Sequence, residues 1–183
     1  MSFLITHSGI KFDLVNPAPE MVNIEDIAVS LSRTARFNGH TKEFYSVAQH
    51  CVLVSKIVES THPELALAAL LHDAAEAYVG DLISPIKRQV LKFACIEGRV
   101  AQAIGGRFGV SLEPVSSAVK HADLQALACE ASQYMGVEDL SDWYPEGLPD
   151  PEWALEDPLP PAKAREAFLG RFHADWIIRR IAA

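Results

Sequence analysis

A histidine and three carboxylates interrupt a stretch that otherwise has the composition of a buried helix. Residues 70–81 have the sequence LLHDAAEAYVGD, and the segment that leads into them, PELALAAL, is almost entirely alanine and leucine. A buried carboxylate is costly unless a partner compensates its charge. The fold must therefore either expose these groups to solvent or supply a partner for them.

Hydrophobic periodicity along the 183 residues predicts six helices. They span residues 24–35, 46–60, 63–80, 84–109, 113–135 and 162–182. Residues 3–15 alternate loosely around a His-Ser-Gly turn, so we expect a small two-stranded hairpin before the first helix. The sequence thus predicts one all-α domain over residues 1–183, a bundle of about six helices with an N-terminal β-hairpin.

Residues 136–161 hold six of the eleven prolines of the chain. Such a long connection is uncommon in a compact domain, so we expect it to fold over a site or a partner. The closing helix that follows carries an apolar face, made of Phe168, Phe172, Trp176, Ile177 and Ile181. This face predicts either packing over the domain or formation of a homodimer.

Charge and cysteine content limit the partners of the chain. A net charge of −8 argues against non-specific binding to nucleic acid. We find no apolar run long enough to span a membrane and no signal peptide. Cys51, Cys95 and Cys129 lie in apolar helical contexts, and we expect buried free thiols in a reducing compartment. The sequence thus predicts a cytoplasmic protein that binds neither nucleic acid nor membranes.

Three predicted helices each turn ionisable side chains toward the core. With a turn of about 100° per residue, His50 and Asp123 lie in the middle of the apolar arcs of their helices. On the third helix His72, Asp73 and Glu76 share one arc of about 100°. A single inward histidine is usually a satisfied core residue, but several such groups directed at one core require a common partner.

A divalent metal would satisfy this set of residues. It neutralises carboxylates and takes neutral imidazoles as ligands. Two nitrogen and two oxygen ligands suit Mn, Fe, Co, Ni or Zn better than Mg or Ca, which prefer oxygen. The sequence therefore predicts one divalent transition metal held by His50, His72, Asp73 and Asp123.

The order His50, His72-Asp73, Asp123 resembles the H…HD…D signature of the HD-domain metal-dependent phosphohydrolases, an all-helical family. The segment HDAAEAYVGDLISPIK is similar to the bacterial 5'-deoxynucleotidase branch, in which HD is followed by Glu, then by Gly-Asp and Pro-x-Lys. LSRTARFNGHTKEFYSVAQHC resembles the Arg-aromatic loop of that branch. The resemblance covers residues 25–135, the predicted core, and is greatest for phage and prophage members.

The resemblance implies hydrolysis of the 5'-phosphate of (deoxy)nucleoside monophosphates by a homodimer. Glu76, one turn after His72, is implied as the general base or acid. Asp81 is implied to contact the sugar or the leaving oxygen.

The resemblance also implies a set of substrate-binding residues. Arg36 corresponds to the loop arginine that clasps phosphate. Phe37 stands where an aromatic residue, often Trp, forms a wall against the sugar. Lys87 is a second cation, and Arg33 is either a third or a surface charge.

Other functions fit parts of the pattern. An HD-type nucleoside di- or triphosphate phosphohydrolase would share the metal site, although the few cations favour a monophosphate. A non-catalytic nucleotide-binding protein would have lost a ligand or Glu76, and all of them are present. A helical interaction domain without metal would leave the inward charges unexplained.

Overall fold

The computed structural model describes residues 2–141, 143, 147–149 and 152–182; for residue 91 and residues 178–182 it describes the backbone alone. The chain is mostly helical, as predicted. Within the described ranges there are two strands, β1 Phe3–Ile5 and β2 Lys11–Asp13, and eight α-helices. The helices are α1 Ile24–Arg33, α2 Val47–Glu59, α3 Ala66–Leu70, α4 Glu76–Val79, α5 Ser84–Lys87, α6 Leu91–Phe108, α7 Ser117–Glu130 and α8 Pro161–Ala182. Shorter turns are the 3-10 segments Pro19–Met21, Arg36–Gly39 and Pro63–Leu65, and a π-helical turn at Ala131–Met135.

The predicted hairpin is present and is anchored to the helices. Strands β1 and β2 pair antiparallel. Phe12 is fully buried, and its ring stacks on Tyr78 of α4 with 3.9 Å between centroids. In the turn, the backbone N–H and the hydroxyl of Ser8 each donate to the carboxylate of Asp26 in α1 at 2.7 Å. The hairpin therefore holds α1 and α4 at one end of the domain.

The predicted continuous helix over residues 63–80 is wrong, because the chain leaves the α-helical path between α3 and α4. The ring Nδ1 of His72 bonds the carbonyl of Ala69 at 2.7 Å. In the same turn, several N–H groups bond the carbonyl three residues earlier rather than four. The tighter turn changes which way the side chains of residues 72–76 point.

The predicted helix over residues 84–109 is also divided, into α5 and α6. A turn at residues 88–90 separates the two. It lets Lys87 donate to Glu76 of α4 at 3.2 Å and to Glu97 of α6 at 2.7 Å. These two breaks explain why eight helices occur where six were predicted.

The closing helix α8 packs over the domain, which is one of its two predicted uses. Phe168 and Phe172 are buried, and Phe172 contacts Phe108 edge to face at 5.1 Å. Ile177 is 56 % exposed, and the side chain of Ile181 lies outside the described part of the chain. Homodimer formation stays a prediction. Among the described helices, none has the length and apolar character needed to cross a bilayer.

The described end of the proline-rich segment lies over α2 and the π-helical turn. Gln49 uses both atoms of its amide to pair with the main chain at residues 157 and 159. Gln133 pairs in the same way with the main chain at residues 153 and 155. The segment is thus held against the helix that carries His50.

Phe12→Ala should lower the free energy of unfolding by about 3–5 kcal/mol, since it removes a buried aromatic ring and leaves a cavity beside α4. Urea denaturation measures this loss. Ile5→Ala in the same hairpin, where the side chain is 61 % exposed, is the control and should cost far less. Equal losses in the two variants would mean that the hairpin is not part of the core.

Candidate metal centre

Four side chains from three parts of the chain converge on one point. Nε2 of His50 lies 3.3 Å from Nε2 of His72 and 3.3 Å from Oδ1 of Asp123. Oδ2 of Asp73 lies 3.2 Å from Nε2 of His72 and 3.6 Å from Nε2 of His50. These are the four residues that the sequence suggested as metal ligands.

The separations suit one metal ion. With metal–ligand bonds of about 2.0–2.2 Å, neighbouring ligand atoms of a tetrahedral or octahedral ion lie about 2.8–3.6 Å apart. Nε2 of His72 lies 3.8 Å from Oδ1 of Asp123, and Asp73 lies within 3.6 Å of both imidazoles. The buried group of His50, His72 and Asp123 could hold a metal ion with little movement.

Both imidazoles are oriented by a second hydrogen bond. Nδ1 of His50 lies 2.6 Å from Oε1 of Glu130, and Nδ1 of His72 lies 2.7 Å from the Ala69 carbonyl. Because both partners only accept hydrogen bonds, each Nδ1 carries the proton. In the neutral tautomer, the lone pair of each Nε2 then points into the cluster, as metal coordination requires.

The charges of the cluster attract a cation. Burial alone would lower the pKa of His72, but the Asp73 carboxylate raises it well above its usual range. Burial alone would raise the pKa of Asp123, but hydrogen bonding to His50 and the charge of His72 lower it well below its usual range. The negative carboxylates therefore favour protonated imidazoles, and a metal ion would take the place of those protons.

Cys51 lies beside the cluster and forms a second possible group with His72 and Asp73. Burial raises the pKa of its thiol to about 11. A metal needs the thiolate, which is therefore costly at neutral pH. The nitrogen and oxygen set is the better candidate.

The buried carboxylate of Glu130 in α7 was not identified from the sequence. It accepts from His50, from the Tyr45 hydroxyl at 2.8 Å, and from Nε and Nη2 of Arg36 at 3.1 and 2.9 Å. Burial would raise its pKa, but the Arg36 guanidinium holds the pKa below its usual value. The sequence did contain one indication of its role: Glu130 follows Asp123 by two helical turns, which places both residues on one face of α7.

Arg36 and Phe37 lie in a strained turn beside the cluster. Phe37 has a φ of 53°, which non-glycine residues rarely adopt. Its ring lies 5.2 Å from the Arg36 guanidinium and meets Trp143 edge to face at 6.2 Å. Nη1 of Arg36 is 3.8 Å from Asp73, whereas Arg33 is exposed at the end of α1 and makes none of the ion pairs of the cluster. Arg36 thus joins the predicted residues, and Arg33 does not.

Glu76 and Lys87 form a second charged pair close to the ligands. Glu76 is 4 % exposed, its Oε1 accepts from Lys87, and its Oε2 has no hydrogen-bond partner among the described residues. Burial raises the pKa of Glu76 well above its usual range, and the Asp73 and Asp81 carboxylates raise it further. Asp81 is half-buried, and burial raises its pKa as well.

A cavity of about 520 Å³ opens on one side of the cluster. Its wall includes three of the four candidate ligands, Lys87 and the face of α6 from Ala94 to Gln102. Cys95 lies on this wall and is exposed, so the prediction of a buried thiol is wrong there, because its side of α6 faces the open cavity. Neither Arg36 nor Phe37 lines the cavity. Its volume is within the range of small-molecule sites.

The chain belongs to a protein family that includes YfdR of Escherichia coli K12. The two sequences are 43% identical over 177 residues, which is 94% of this chain and 95% of YfdR. RCAP_rcc00048 of Rhodobacter capsulatus is 36% identical over 179 residues, 91% of each chain. No family model matches the chain. Neither relative has a name that states an activity, so the function is argued from the residues.

Glu130→Gln should lower the affinity for a divalent metal about 10–100-fold, because the amide cannot accept from His50 and Arg36 as the carboxylate does. Equilibrium dialysis with metal analysis measures the affinity. Glu25→Gln is the matched control, since it also removes a carboxylate paired with an arginine, but on the surface. Unchanged affinity in a folded Glu130→Gln variant would show that Glu130 does not support the site.

Metal binding near neutral pH should release protons, because His72 has a raised pKa and must lose its proton to become a ligand. The apparent affinity should therefore rise with pH. Calorimetric titration in two buffers of different ionisation enthalpy counts the protons. The exposed His121, two residues before Asp123, offers the control variant His121→Ala, which should release as many as the wild type. Equal heats in both buffers would contradict the prediction.

Proposed function

We propose that this member of the YfdR family is an HD-domain metal-dependent phosphohydrolase that removes the 5'-phosphate of (deoxy)nucleoside monophosphates. The observation that carries the proposal is the convergence of His50, His72, Asp73 and Asp123 at the end of a cavity, with the buried Glu76 beside them. A nitrogen and oxygen ligand set suits a divalent transition metal such as Mn, Co, Ni, Fe or Zn. When bound, such an ion acidifies water and polarises a phosphoryl oxygen.

Glu76 is the residue of this chain best suited to move a proton. One of its oxygens is held by Lys87, and the other is buried without a partner among the described residues. Burial raises its pKa toward the range in which a carboxyl group can both accept and donate a proton. We assign it as the general base or acid, and Lys87 as the cation that fixes its orientation.

Arg36 is proposed to act mainly as a support for the ligands. Two of its three nitrogens donate to Glu130, and the third lies 3.8 Å from Asp73. Because Nε and Nη2 of Arg36 donate to Glu130, they are not free to bind a phosphate through two hydrogen bonds. A single contact from Nη1 to a phosphoryl oxygen remains open to it. Asp81, half-buried nearby, is the candidate for contact with the sugar or the leaving oxygen.

The charges on the cavity wall favour a monophosphate over a triphosphate. Three positive side chains line the cavity, Lys87, Arg99 and Lys120, and so do four negative ones, Asp73, Glu97, Glu113 and Asp123. With a divalent ion the wall carries a small net positive charge, which a dianionic phosphate offsets with little excess negative charge. A triphosphate tail would meet Glu97 and Glu113 without enough cations. Hydrolysis of di- or triphosphates is therefore the second candidate.

Metal-stripped protein supplied with Mn, Co, Ni, Zn or Mg should release inorganic phosphate from deoxynucleoside monophosphates with the transition metals. Glu76→Gln should lower kcat by about 10²–10⁴-fold, the usual contribution of a general acid or base, and keep its metal affinity. His50→Ala should lose both activity and metal.

Panels of ribonucleotides and nucleoside triphosphates complete the phosphate-release assay. Turnover of triphosphates alone would move the function to the second candidate. Metal binding without turnover of any nucleotide would contradict both, and would favour a protein that binds nucleotides without hydrolysing them.

A further inference from the structure

Helix α6 contains three glycines, and packing explains two of them. Glycine inside a helix costs stability relative to alanine, so each one needs a reason. A Cβ at Gly105 would come 2.6 Å from the carbonyl oxygen of Val110, and a Cβ at Gly106 would come 3.2 Å from Cγ of Pro19. Neighbouring backbone therefore excludes a side chain at Gly105, and Pro19 crowds one at Gly106.

Gly98, the third glycine, has no such neighbour among the described residues. A Cβ there would meet none of their atoms within 4 Å, and its backbone is ordinary helix. The open space beside it is the cavity that also contains the candidate metal ligands. What the missing side chain preserves is the width of this cavity.

Small and apolar residues form part of the cavity wall at Gly98, although the charged Glu97 and Arg99 flank it along α6. Ala94 and Ala101 precede and follow it along α6, and Leu112 and Val115 contribute from the segment before α7. We call the part of the cavity bounded by Gly98 and these four residues the α6 slot. The slot belongs to the same cavity as Lys87 and three of the candidate ligands.

We propose that the α6 slot binds the nucleobase of the substrate and that Gly98 is a specificity-determining residue. The inference rests on the proposed function, which puts the phosphate at the candidate metal ligands. From Ala94 to Ala101 the helix rises about 10 Å, enough to accommodate a sugar and a base in line with the phosphate. A planar heteroaromatic ring gains dispersion contacts on such a wall. The small residues Ala94, Gly98 and Ala101 leave room for it.

A second aromatic-binding position is available beside Arg36. Phe37 and Trp143 offer ring faces there, but neither residue lines the cavity. The two positions make different predictions for a substitution at Gly98, so one experiment separates them.

Gly98→Leu should lower kcat/KM for dAMP and dCMP about tenfold or more, because a side chain would fill the slot. For 2-deoxyribose 5-phosphate, which has no base, kcat/KM should stay as in the wild type. Gly170→Leu is the matched control: Gly170 is also inside a helix, its Cβ would also meet no described atom within 4 Å, and it does not line the cavity. It should leave both substrates unaffected.

Alkylation of Cys95 gives a readout that does not depend on turnover. Cys95 is exposed on the same cavity wall, whereas Cys51 and Cys129 are buried. Bound dAMP should slow the reaction of Cys95 with iodoacetamide in the wild type and in Gly170→Leu, but not in Gly98→Leu. Each variant is compared with and without dAMP, since a leucine at 98 could itself shield the thiol.

The outcomes separate the slot from the proposed hydrolase. Equal protection by dAMP in Gly98→Leu and wild type would overturn the slot. The slot would also be overturned if the wild type hydrolyses dAMP but dAMP does not protect Cys95 from alkylation. The nucleobase would then be assigned to Phe37. Protection that Gly98→Leu abolishes, in a protein that hydrolyses no nucleotide, would support the slot and overturn the hydrolase.

Discussion

The buried charge of Glu130 fixes the geometry on which the candidate metal centre depends. A fully buried carboxylate is tolerated only when hydrogen bonds and an opposite charge compensate its desolvation. Glu130 obtains them from His50 in α2, from Tyr45 just before that helix, and from Arg36 in the preceding turn. One side chain of α7 thus positions a ligand imidazole, and the Arg36 turn beside it, relative to Asp123 on the same helix.

The break between α3 and α4 contributes the remaining candidate ligands. In a continuous helix the Ala69 carbonyl would accept from the N–H of Asp73. Here it accepts from the ring Nδ1 and the N–H of His72, and Nε2 of the same ring lies 3.3 Å from Nε2 of His50. The same turn leaves Asp73 next to both imidazoles and Glu76 buried within reach of Lys87. Departure from regular helix therefore brings Glu76, Lys87 and two of the candidate ligands into one place.

The sequence predicted which side chains converge better than it predicted the backbone that brings them together. Inward placement of His50 and Asp123 follows from helical periodicity, and the structure brings both to the cluster. Periodicity could not predict the break at His72, because the competing bond is made by a side chain to the main chain. Glu130 was missed because one acidic residue in an alanine-rich helix resembles a surface residue, and Cys95 because its apolar neighbours do not reveal the cavity beside it.

The hydrogen bonds of Gln49 and Gln133 to the proline-rich segment limit which substitutions that segment can accept. Gln49 and Gln133 contact peptide groups, not side chains, so these four hydrogen bonds fix the path of residues 153–159 without selecting their side chains. Packing against the core constrains Trp153 and Leu159 separately. Only the residues at 155 and 159 must donate an N–H to these amides. Proline has no N–H to donate, so these hydrogen bonds exclude it at positions 155 and 159, although it is abundant in the rest of the segment.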